Sequence, residues 1–328
     1  MTASTATPLI LHPLADRNGS PAALLFDAAC VPAGAGAAPP LKLLEELAAG
    51  SMACYYRPGA SPELNQMLGQ AGLQALAGDQ IAHADAALPK DLPPAVRWIE
   101  GDWFLAPPAK PVGSQAASRA LALQLVQLVS ADADTHEIEA LLRQDPTLSY
   151  HLLRLVNSLG MGTGRRVTSF SQAILILGRS QLRRWLNLML FSSREGDQRS
   201  AMLLSRVAVR ARSMELLSKA CGEDKHHQEQ AFMVGMFSLL GVLFGMPLDE
   251  VLKPLTISEA VQQALLSHEG ELGQLLCVVE SAERAQSEVL AGCLAALQID
   301  IATYNRIAAD AHLWMQDVAA GKAGSPHA

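Results

Sequence analysis

The prolines of this chain are concentrated at one end. Fourteen of the 18 lie before residue 114 and four lie after it. Proline interrupts helix interiors, because it lacks a backbone N–H and clashes with the preceding turn. The first third is therefore rich in turns, whereas the remainder is open to long helices. For 328 residues we predict two domains. The predicted division is a first domain at 1–107, a linker at 108–113, a second domain at 114–320 and a flexible tail at 321–328.

The first part alternates between two kinds of pattern. Short apolar runs such as PAALLF (21–26) predict buried strands, and LKLLEELAAG (41–50) predicts a helix. Ser61 followed by Pro62 is typical of a helix start. This alternation predicts a small α/β domain.

From Ser114 onward the pattern is helical. Asp134 and Glu137 have the spacing of a capping box at a helix start. Further helices are predicted around 197–220, 227–245, 258–267, 270–295 and 298–319. Because the connections are short, these helices are expected to pack as a compact bundle.

Composition excludes several classes of protein. A net charge of −7 disfavours whole-surface attraction to nucleic acid or anionic membrane. The five cysteines include no CxxC pair, which disfavours a disulfide framework and a zinc knuckle. The uncharged run 231–248 is long enough to span a bilayer, but it holds three glycines and has no basic flank. We therefore predict a cytoplasmic protein with no membrane segment and no signal peptide.

The order of motifs in the second part resembles an HDOD domain. The features that carry the resemblance are Asp145–Pro146, LRLVNS at 153–158, Ser169, Gln172–Ile174, Leu177–Gly178 and Arg183. The stretches 206–222 and 231–255 are similar to the continuation seen in EAL–HDOD signalling proteins. The resemblance covers roughly residues 114–300 and implies an all-α, HD-like helical bundle.

HDOD domains resemble HD-type metal phosphohydrolases that have lost their ligands. In the hydrolases, an adjacent His and Asp in a helix of the form AxxxGLLHDIG bind metal. The matching segment here is 231–241, where Ser238 and Leu239 replace that pair. Leucine cannot coordinate a cation and a serine hydroxyl is a poor ligand. The resemblance therefore implies no metal, no cofactor and no catalytic residue, and we predict that the chain is not an enzyme.

The first part is similar in fragments to an EAL domain, the cyclic di-GMP phosphodiesterase fold. Residues 12–26 resemble its first strand, turn and second strand, and 100–108 resemble its closing segment. Ala22–Leu24 occupy the signature position, so the metal-binding glutamate is missing. Only ~110 residues precede the linker, against ~250 for a full barrel. The predicted fold class is therefore α+β and multidomain: a truncated, degenerate EAL-like α/β domain followed by the all-α HDOD bundle.

One segment reverses the charge of the chain. Residues 146–194 contain no Asp or Glu and seven arginines. Arginine binds phosphates and carboxylates with two hydrogen bonds at once. The segment is therefore either a docking patch for an acidic protein or phosphate-bearing ligand, or a set of arginines scattered over different helix faces. The residues of the candidate patch are Arg154, Arg165, Arg166, Arg179, Arg183 and Arg184.

Three smaller features favour structural roles. The glycines of 160–166 predict an interhelical loop, since no Lys-Ser/Thr follows as in a phosphate-binding loop. His226 and His227 predict a solvated helix entry. Arg212 and Glu215 are three residues apart, which favours an intrahelical pair, with a buried polar clamp as the alternative.

These patterns together favour a non-catalytic signalling protein of bacterial type that acts through protein–protein interaction, in a setting linked to cyclic di-GMP. Its expected partners are other signalling proteins, acidic ones among them, and a homodimer fits as well. The alternative is a sensor that binds cyclic di-GMP without hydrolysing it. Residual phosphodiesterase activity and nucleic-acid binding are weaker alternatives, the latter disfavoured by the shortage of aromatic residues.

Overall fold

The computed structural model describes residues 7–31, 39–59, 61–107, 114–131, 133–142, 184, 186, 191 and 197–319. The predicted linker (108–113) and tail (321–328) lie outside the described residues. So do the family motifs between Asp145 and Arg183.

A six-stranded sheet forms the N-terminal region. Its strands are β1 (Leu11–Ala15), β2 (Pro21–Phe26), β3 (Ala53–Tyr56), β4 (Gln74–Ala75), β5 (Ile81–His83) and β6 (Trp98–Glu100). They lie in the order β4-β3-β2-β1-β6-β5. β1 is antiparallel to both of its neighbours, and all other pairings are parallel. Strands β2 to β6 therefore point the same way, and their carboxyl ends lie along one edge of the sheet.

Two helices follow the alternation that the sequence predicts. These are α1 (Leu41–Ala48) and α2 (Pro62–Gln70). Ser61 is the N-cap of α2, and its hydroxyl accepts a hydrogen bond from the Leu64 N–H at 3.2 Å. Successive residues of a strand face opposite sides of a sheet. Leu24 and Phe26 thus join the main core with the helices, whereas Leu25 belongs to a small apolar cluster on the other face.

The rest of the described chain is helical. Its helices are α3 (Ser114–Ser130), α4 (Thr135–Leu142), α5 (Ser200–Ala220), α6 (Lys225–Phe237), α7 (Leu240–Phe244), α8 (Leu248–Leu252), α9 (Glu259–Ser267), α10 (Gly270–Glu283), α11 (Ser287–Ala296) and α12 (Ile301–Ala319). The described residues thus form an N-terminal α/β sheet region followed by a helical region, so the prediction of a mixed α+β chain is confirmed. No described helix is long and apolar enough to cross a membrane.

Two predicted helices are each divided in the structure. The predicted 227–245 helix breaks at Ser238–Leu239, where the backbone of Leu239 leaves helical geometry. The predicted 270–295 helix breaks between Glu283 and Ser287, where Ala285 adopts a φ of 53°. Neither break contains glycine or proline, so the sequence lacks the residues that usually mark the end of a helix.

The C-terminal helix α12 joins the two regions. Asn305 accepts a hydrogen bond from the Leu9 N–H at 2.7 Å and donates one to the Thr7 carbonyl at 2.8 Å. Gln316 accepts from the N–H groups of Ser51 (2.7 Å) and Met52 (3.2 Å). One apolar core accordingly runs from the sheet into the helices.

Candidate functional site

A buried charge network lies between α5, α6 and α10. Arg210 of α5 donates from Nε to Glu283 Oε1 at 3.0 Å, and its Nη2 contacts the other carboxylate oxygen. Its Nη1 donates to Ser238 Oγ at 2.8 Å and lies 3.4 Å from Glu280 Oε1. Only 5% of Arg210 is exposed. We call Arg206, Arg210, Ser238, Glu280 and Glu283 the Arg210 cluster.

The arginines and the carboxylates of the cluster stabilise each other's charged forms. Burial alone raises the pKa of the Glu283 carboxyl, but Arg210 and Arg206 outweigh this effect and hold its pKa at about 2. Burial likewise lowers the pKa of Arg210, and Glu283 and Glu280 more than restore it, so that its net shift is upward. Both groups therefore stay ionised across the physiological pH range.

Ser238 and Leu239 lie at the edge of this cluster. The Ser238 hydroxyl accepts from Arg210 and donates to the Gly235 carbonyl at 2.7 Å. Leu239 is buried in the apolar core. A guanidinium thus contacts the side chain that stands where the resemblance places a metal-binding histidine. The described residues contain no group of three or more His, Cys, Asp or Glu side chains arranged to hold a metal ion. That no metal binds at this position stays a prediction.

Arg206 connects the cluster to the N-terminal region. Its Nη1 lies 3.1 Å from Glu283 Oε2, and its Nη2 donates to Asp102 Oδ1 at 3.2 Å. The guanidinium also stacks 5.2 Å from the centre of the Phe104 ring, which favours this placement by a cation–π contact. Asp102 and Phe104 directly follow the last strand, β6. Arg206 therefore contacts both the segment that follows β6 and Glu283 of α10.

A small cavity adjoins the cluster. Its walls include Ser205, Arg206, Glu283, Tyr304 and His312, together with apolar side chains of β1, α5 and α12. Its volume of about 50 Å³ holds a few water molecules and is well below the ~300 Å³ or more of a typical small-molecule site. Ser205 Oγ and Arg206 Nε are buried and have no hydrogen-bond partner among the described residues. The cavity is suited to water and is too small for a dinucleotide.

His312 adds a neutral imidazole to this cavity. It is 8% exposed, and its Nδ1 lies 2.9 Å from the Ala308 carbonyl. Burial, with smaller effects from Arg206 and His12, lowers the pKa of His312 to about 4, although the Ala308 carbonyl and Glu283 favour the charged form. The imidazole is therefore uncharged at neutral pH.

A second polar group lies at the carboxyl ends of the strands. Arg57, just after β3, contacts the Glu100 carboxylate of β6. His83 of β5 lies 3.7 Å from Glu100 through Nδ1 and 2.9 Å from Asp85 through Nε2. We call Arg57, His83, Asp85 and Glu100 the strand-end cluster. In open α/β sheets, ligands bind outside the carboxyl ends of the strands, so this exposed group is the second candidate site.

Most of the predicted arginine patch lies outside the described residues; the exception is Arg184. Its Nη2 donates to Glu215 at 2.7 Å, and its guanidinium lies 4.5 Å from the centre of the Phe232 ring. Arg212 donates to the same carboxylate at 2.7 Å. Glu215 thus forms an intrahelical ion pair with Arg212 and an interhelical ion pair with Arg184. The charge of Arg184 is therefore compensated within the protein. The patch as a docking surface stays a prediction.

The predicted solvated helix start at His226–His227 is capped by the carboxylate of Asp224. Asp224 accepts from the His227 N–H at 2.9 Å and contacts its imidazole at the same distance. The Asp224 carboxylate raises the pKa of His227. Asp224 is therefore the N-cap that begins α6.

Sequence reasoning missed both candidate clusters. The Arg210 cluster joins residues 73 positions apart, and no local spacing pairs Arg210 with Glu283. The strand-end cluster had a usable signal, because Arg57 follows and Glu100 ends a short run rich in residues that favour strands, ACYY (53–56) and WIE (98–100).

Known proteins resemble parts of this chain. It is 31% identical over 199 residues to the Vibrio cholerae protein named cyclic di-GMP phosphodiesterase CdgJ, covering 60% of this chain and 46% of that protein. It is 28% identical over 162 residues to the uncharacterized protein YuxH of Bacillus subtilis, covering 48% and 39%. The chain thus spans less than half the length of these relatives. A solved structure of a Shewanella amazonensis protein is 16% identical, with a TM-score of 0.42, and covers 63% of this chain and 93% of that one.

One prediction requires correction. We expected that the chain is not an enzyme, because Ser238 and Leu239 replace a metal-binding pair. The similarity to a protein named a phosphodiesterase contradicts that expectation. The prediction rested on the ligands missing at Ser238–Leu239 and at Ala22–Leu24 and took their loss as the loss of all activity, but a catalytic group can lie elsewhere in a chain.

The helical region also matches a protein family. The match is to the HDOD domain and extends over residues 117–276. It includes α5 and α6 and all of the Arg210 cluster except Glu280 and Glu283. An EAL-like origin of the sheet region is not part of this match and stays a prediction. Residues 117–276 of this chain are therefore similar to an HDOD domain.

Proposed function

We propose that this protein acts in cyclic di-GMP signalling, and that a change at its N-terminal sheet region passes through the Arg210 cluster to the HDOD helices and from them to a partner protein. The observation that carries the proposal is the position of Arg206. One guanidinium contacts both Asp102, next to β6, and Glu283, in α10. The similarity to CdgJ supports the link to this nucleotide.

The direction of transmission follows from exposure. The strand-end cluster is open to solvent, with 54% of the Arg57 side chain and 61% of the His83 side chain exposed. Glu283 is largely shielded from water against Arg206 and Arg210, with 13% of its side chain exposed, so a shift of Arg206 alters a contact that water replaces poorly. A ligand that binds to Glu100 or Asp102 and displaces its side chain therefore shifts the position of α10.

The test combines calorimetry with hydrogen exchange. The full chain is titrated with cyclic di-GMP in the presence of Mg²⁺, and amide exchange is followed by mass spectrometry with and without the nucleotide. We expect slower exchange both around β5–β6 and in α10. In Asp102→Asn the β5–β6 effect remains and the α10 effect is reduced, because the ion pair that joins the two is lost.

Two results would contradict the proposal. One is the absence of heat and of any change in exchange at saturating nucleotide concentrations. The other is an exchange change in α10 that is the same in the wild type and in Asp102→Asn.

The similarity to CdgJ favours a second candidate function, hydrolysis of cyclic di-GMP by this chain. The strand-end cluster is the described group best suited to it. His83 and Glu100 are groups that accept a proton from an attacking water, and Arg57 is suited to binding a phosphate. Hydrolysis adds one water across one phosphodiester bond and gives the linear dinucleotide.

This candidate is tested separately from the first. The full chain is incubated with cyclic di-GMP and Mg²⁺ or Mn²⁺, and the linear product is separated by chromatography. We expect product from the wild type and a loss of at least about tenfold in Glu100→Gln and His83→Gln. The matched control is Glu259→Gln, an exposed carboxylate in α9 far along the chain. Equal rates in all four proteins, or no product from any, would dismiss hydrolysis at this cluster and leave the signalling proposal to the exchange experiment.

A further inference from the structure

Two cysteine side chains meet between neighbouring helices. Cys277 of α10 and Cys293 of α11 place their sulfur atoms 2.8 Å apart. Both are free thiols and both are partly exposed. A disulfide bond measures about 2.05 Å, so the sulfurs need to approach by less than about 1 Å to be joined. Neither candidate site described above uses this pair.

The fold keeps the two thiols together. α10 and α11 are consecutive helices joined by the tight connection 284–286, in which Ala285 has a φ of 53°. Leu276 and Leu290 are buried in the common core and hold the two helices against each other. The contact between the thiols is therefore part of the packed structure.

We propose that Cys277 and Cys293 form an oxidisable pair, and that a low-molecular-weight disulfide such as oxidised glutathione converts them into an intramolecular disulfide that fixes α11 to α10. The Cys277 thiolate attacks one sulfur of the oxidant, which forms a mixed disulfide and releases one glutathione thiolate. The Cys293 thiolate then attacks the Cys277 sulfur and releases the second. Two protein thiols lose two electrons and two protons, and the oxidant becomes two thiols.

The order of attack follows from the surroundings of the two sulfurs. Burial and the neighbouring Cys277 thiol raise the pKa of Cys293 to about 11. Because this raised pKa disfavours the Cys293 thiolate, we assign the second attack to Cys293. Once Cys277 is bonded to glutathione, its thiol no longer raises the pKa of Cys293, which eases the second step.

The location gives the oxidation a structural consequence. Cys277 lies one helical turn before Glu280 and two before Glu283, the carboxylates that bind Arg210. α11 in turn precedes α12, which is hydrogen-bonded to the N-terminal region. The disulfide therefore fixes α11 and the connection 284–286, which lie between the Arg210 cluster and the helix that joins the two regions. This inference does not depend on nucleotide binding.

Thiol counting on the full chain tests the proposal. The native protein is treated with oxidised glutathione, unfolded and alkylated, and its mass is measured. The reduced chain has five thiols, and we expect a product with two fewer and a cross-linked peptide that contains both Cys277 and Cys293. The product should melt a few °C higher than the reduced protein and return to the original melting temperature with dithiothreitol.

Single substitutions separate this pair from the other cysteines. Cys277→Ser and Cys293→Ser should both lose the cross-link, and Cys293→Ser should carry glutathione on Cys277. Cys221→Ser is the matched control, since Cys221 is also partly exposed, and should keep the two-thiol loss. The proposal is overturned if wild type yields only glutathione adducts, if all five thiols remain, or if the two-thiol loss survives in the Cys277→Ser/Cys293→Ser double variant.

Discussion

Arg210 carries a positive charge that is almost entirely removed from water. Its compensation comes from Glu283 and Glu280, and its remaining donor is satisfied by Ser238. A buried ion pair is weak evidence for stability as a whole, but removing one partner leaves an uncompensated charge. Glu283 then keeps only Arg206 for its negative charge. The contribution of Arg210 therefore becomes measurable when it is deleted.

We expect Arg210→Met to lower the free energy of unfolding by about 3 kcal/mol. Arg284→Met is the control, because Arg284 also contacts a carboxylate of α10 but is 61% exposed in its side chain. That exposed pair should cost less than about 1 kcal/mol. Urea denaturation of both variants measures the difference, and equal losses in the two would show that burial does not control the strength of these pairs.

The second prediction at the scale of residues concerns the loss of folding stability at low pH. The pKa of His312 is about 4 in the folded protein, below the ordinary value of 6.5. The unfolded chain therefore binds a proton more readily, and the contribution of His312 to stability is complete above pH 6.5 and falls as the pH decreases to 4. The full loss is about 3 kcal/mol. The pKa of Glu283, about 2 against 4.5, adds a second loss between pH 4.5 and 2.

His312→Gln separates these two losses. The variant should have a stability that is flat between pH 6.5 and 4.5, while the loss below pH 4.5 remains. Urea midpoints measured at intervals of half a pH unit give both curves. A wild-type curve without slope between pH 6.5 and 4.5 would show that His312 titrates normally.

At the scale of elements, the contact of α5 with α6 depends on one glycine. A Cβ atom added to Gly235 would lie 2.5 Å from the Ala211 Cα and 2.8 Å from its nitrogen. Backbone atoms cannot rotate away as a side chain does, so the two helices would have to separate. This close approach also sets the position of Ser238, three residues later, beside Arg210.

Gly235→Ala should destabilise the protein by about 1–3 kcal/mol, because α6 must move away from α5. Gly292→Ala in α11 is the matched control, since its new Cβ meets no described atom within 4 Å. The control should be neutral or stabilising by up to about 1 kcal/mol, through the smaller entropy of the unfolded chain. The melting temperatures of the two variants test this difference. A higher melting temperature in Gly235→Ala would be incompatible with the close approach of Gly235 to the Ala211 backbone.

The elements also show how far the sequence alone can be read. Ser61 with Pro62, and Asp134 with Glu137, mark helix starts that the structure contains, because capping is a local interaction. The breaks at Leu239 and Ala285 were missed, since they depend on what the following helix packs against. The Arg210 cluster was missed for the same reason, as its partners come from three helices. Local interactions such as helix caps could be predicted from the sequence, whereas the Arg210 cluster depends on how helices distant in the sequence pack together.

At the scale of the whole molecule, the two regions share one core. Leu24 and Phe26 of the sheet and Val207 and Ala308 of the helices belong to the same buried cluster. α12 lies beyond the HDOD match at 117–276 and contacts both regions. The regions before and after the predicted linker 108–113 are therefore packed together, and the division into two domains stays a prediction. A chain built this way is expected to unfold as one unit.

The last prediction tests this unity through Asn305. Its side chain satisfies the Leu9 N–H and the Thr7 carbonyl, and it is 3% exposed. Asn305→Ala leaves both backbone groups buried and unpaired, which should cost about 1–3 kcal/mol. Arg306→Ala is the control, because Arg306 contacts Glu46 from an exposed position on the same helix and should cost less than about 1 kcal/mol.

Two probes show whether that loss is shared by the whole molecule. Circular dichroism follows the helices, and tryptophan fluorescence reports on all four tryptophans: Trp98 and Trp103 in the sheet region, Trp314 in α12, and Trp185. In wild type and in Asn305→Ala, the two curves should coincide at every urea concentration, with the variant's midpoint lower. Curves that separate in wild type would mean that the regions unfold independently despite their common core. Curves that separate only in Asn305→Ala would mean that this one side chain, and not the shared apolar surface, couples them.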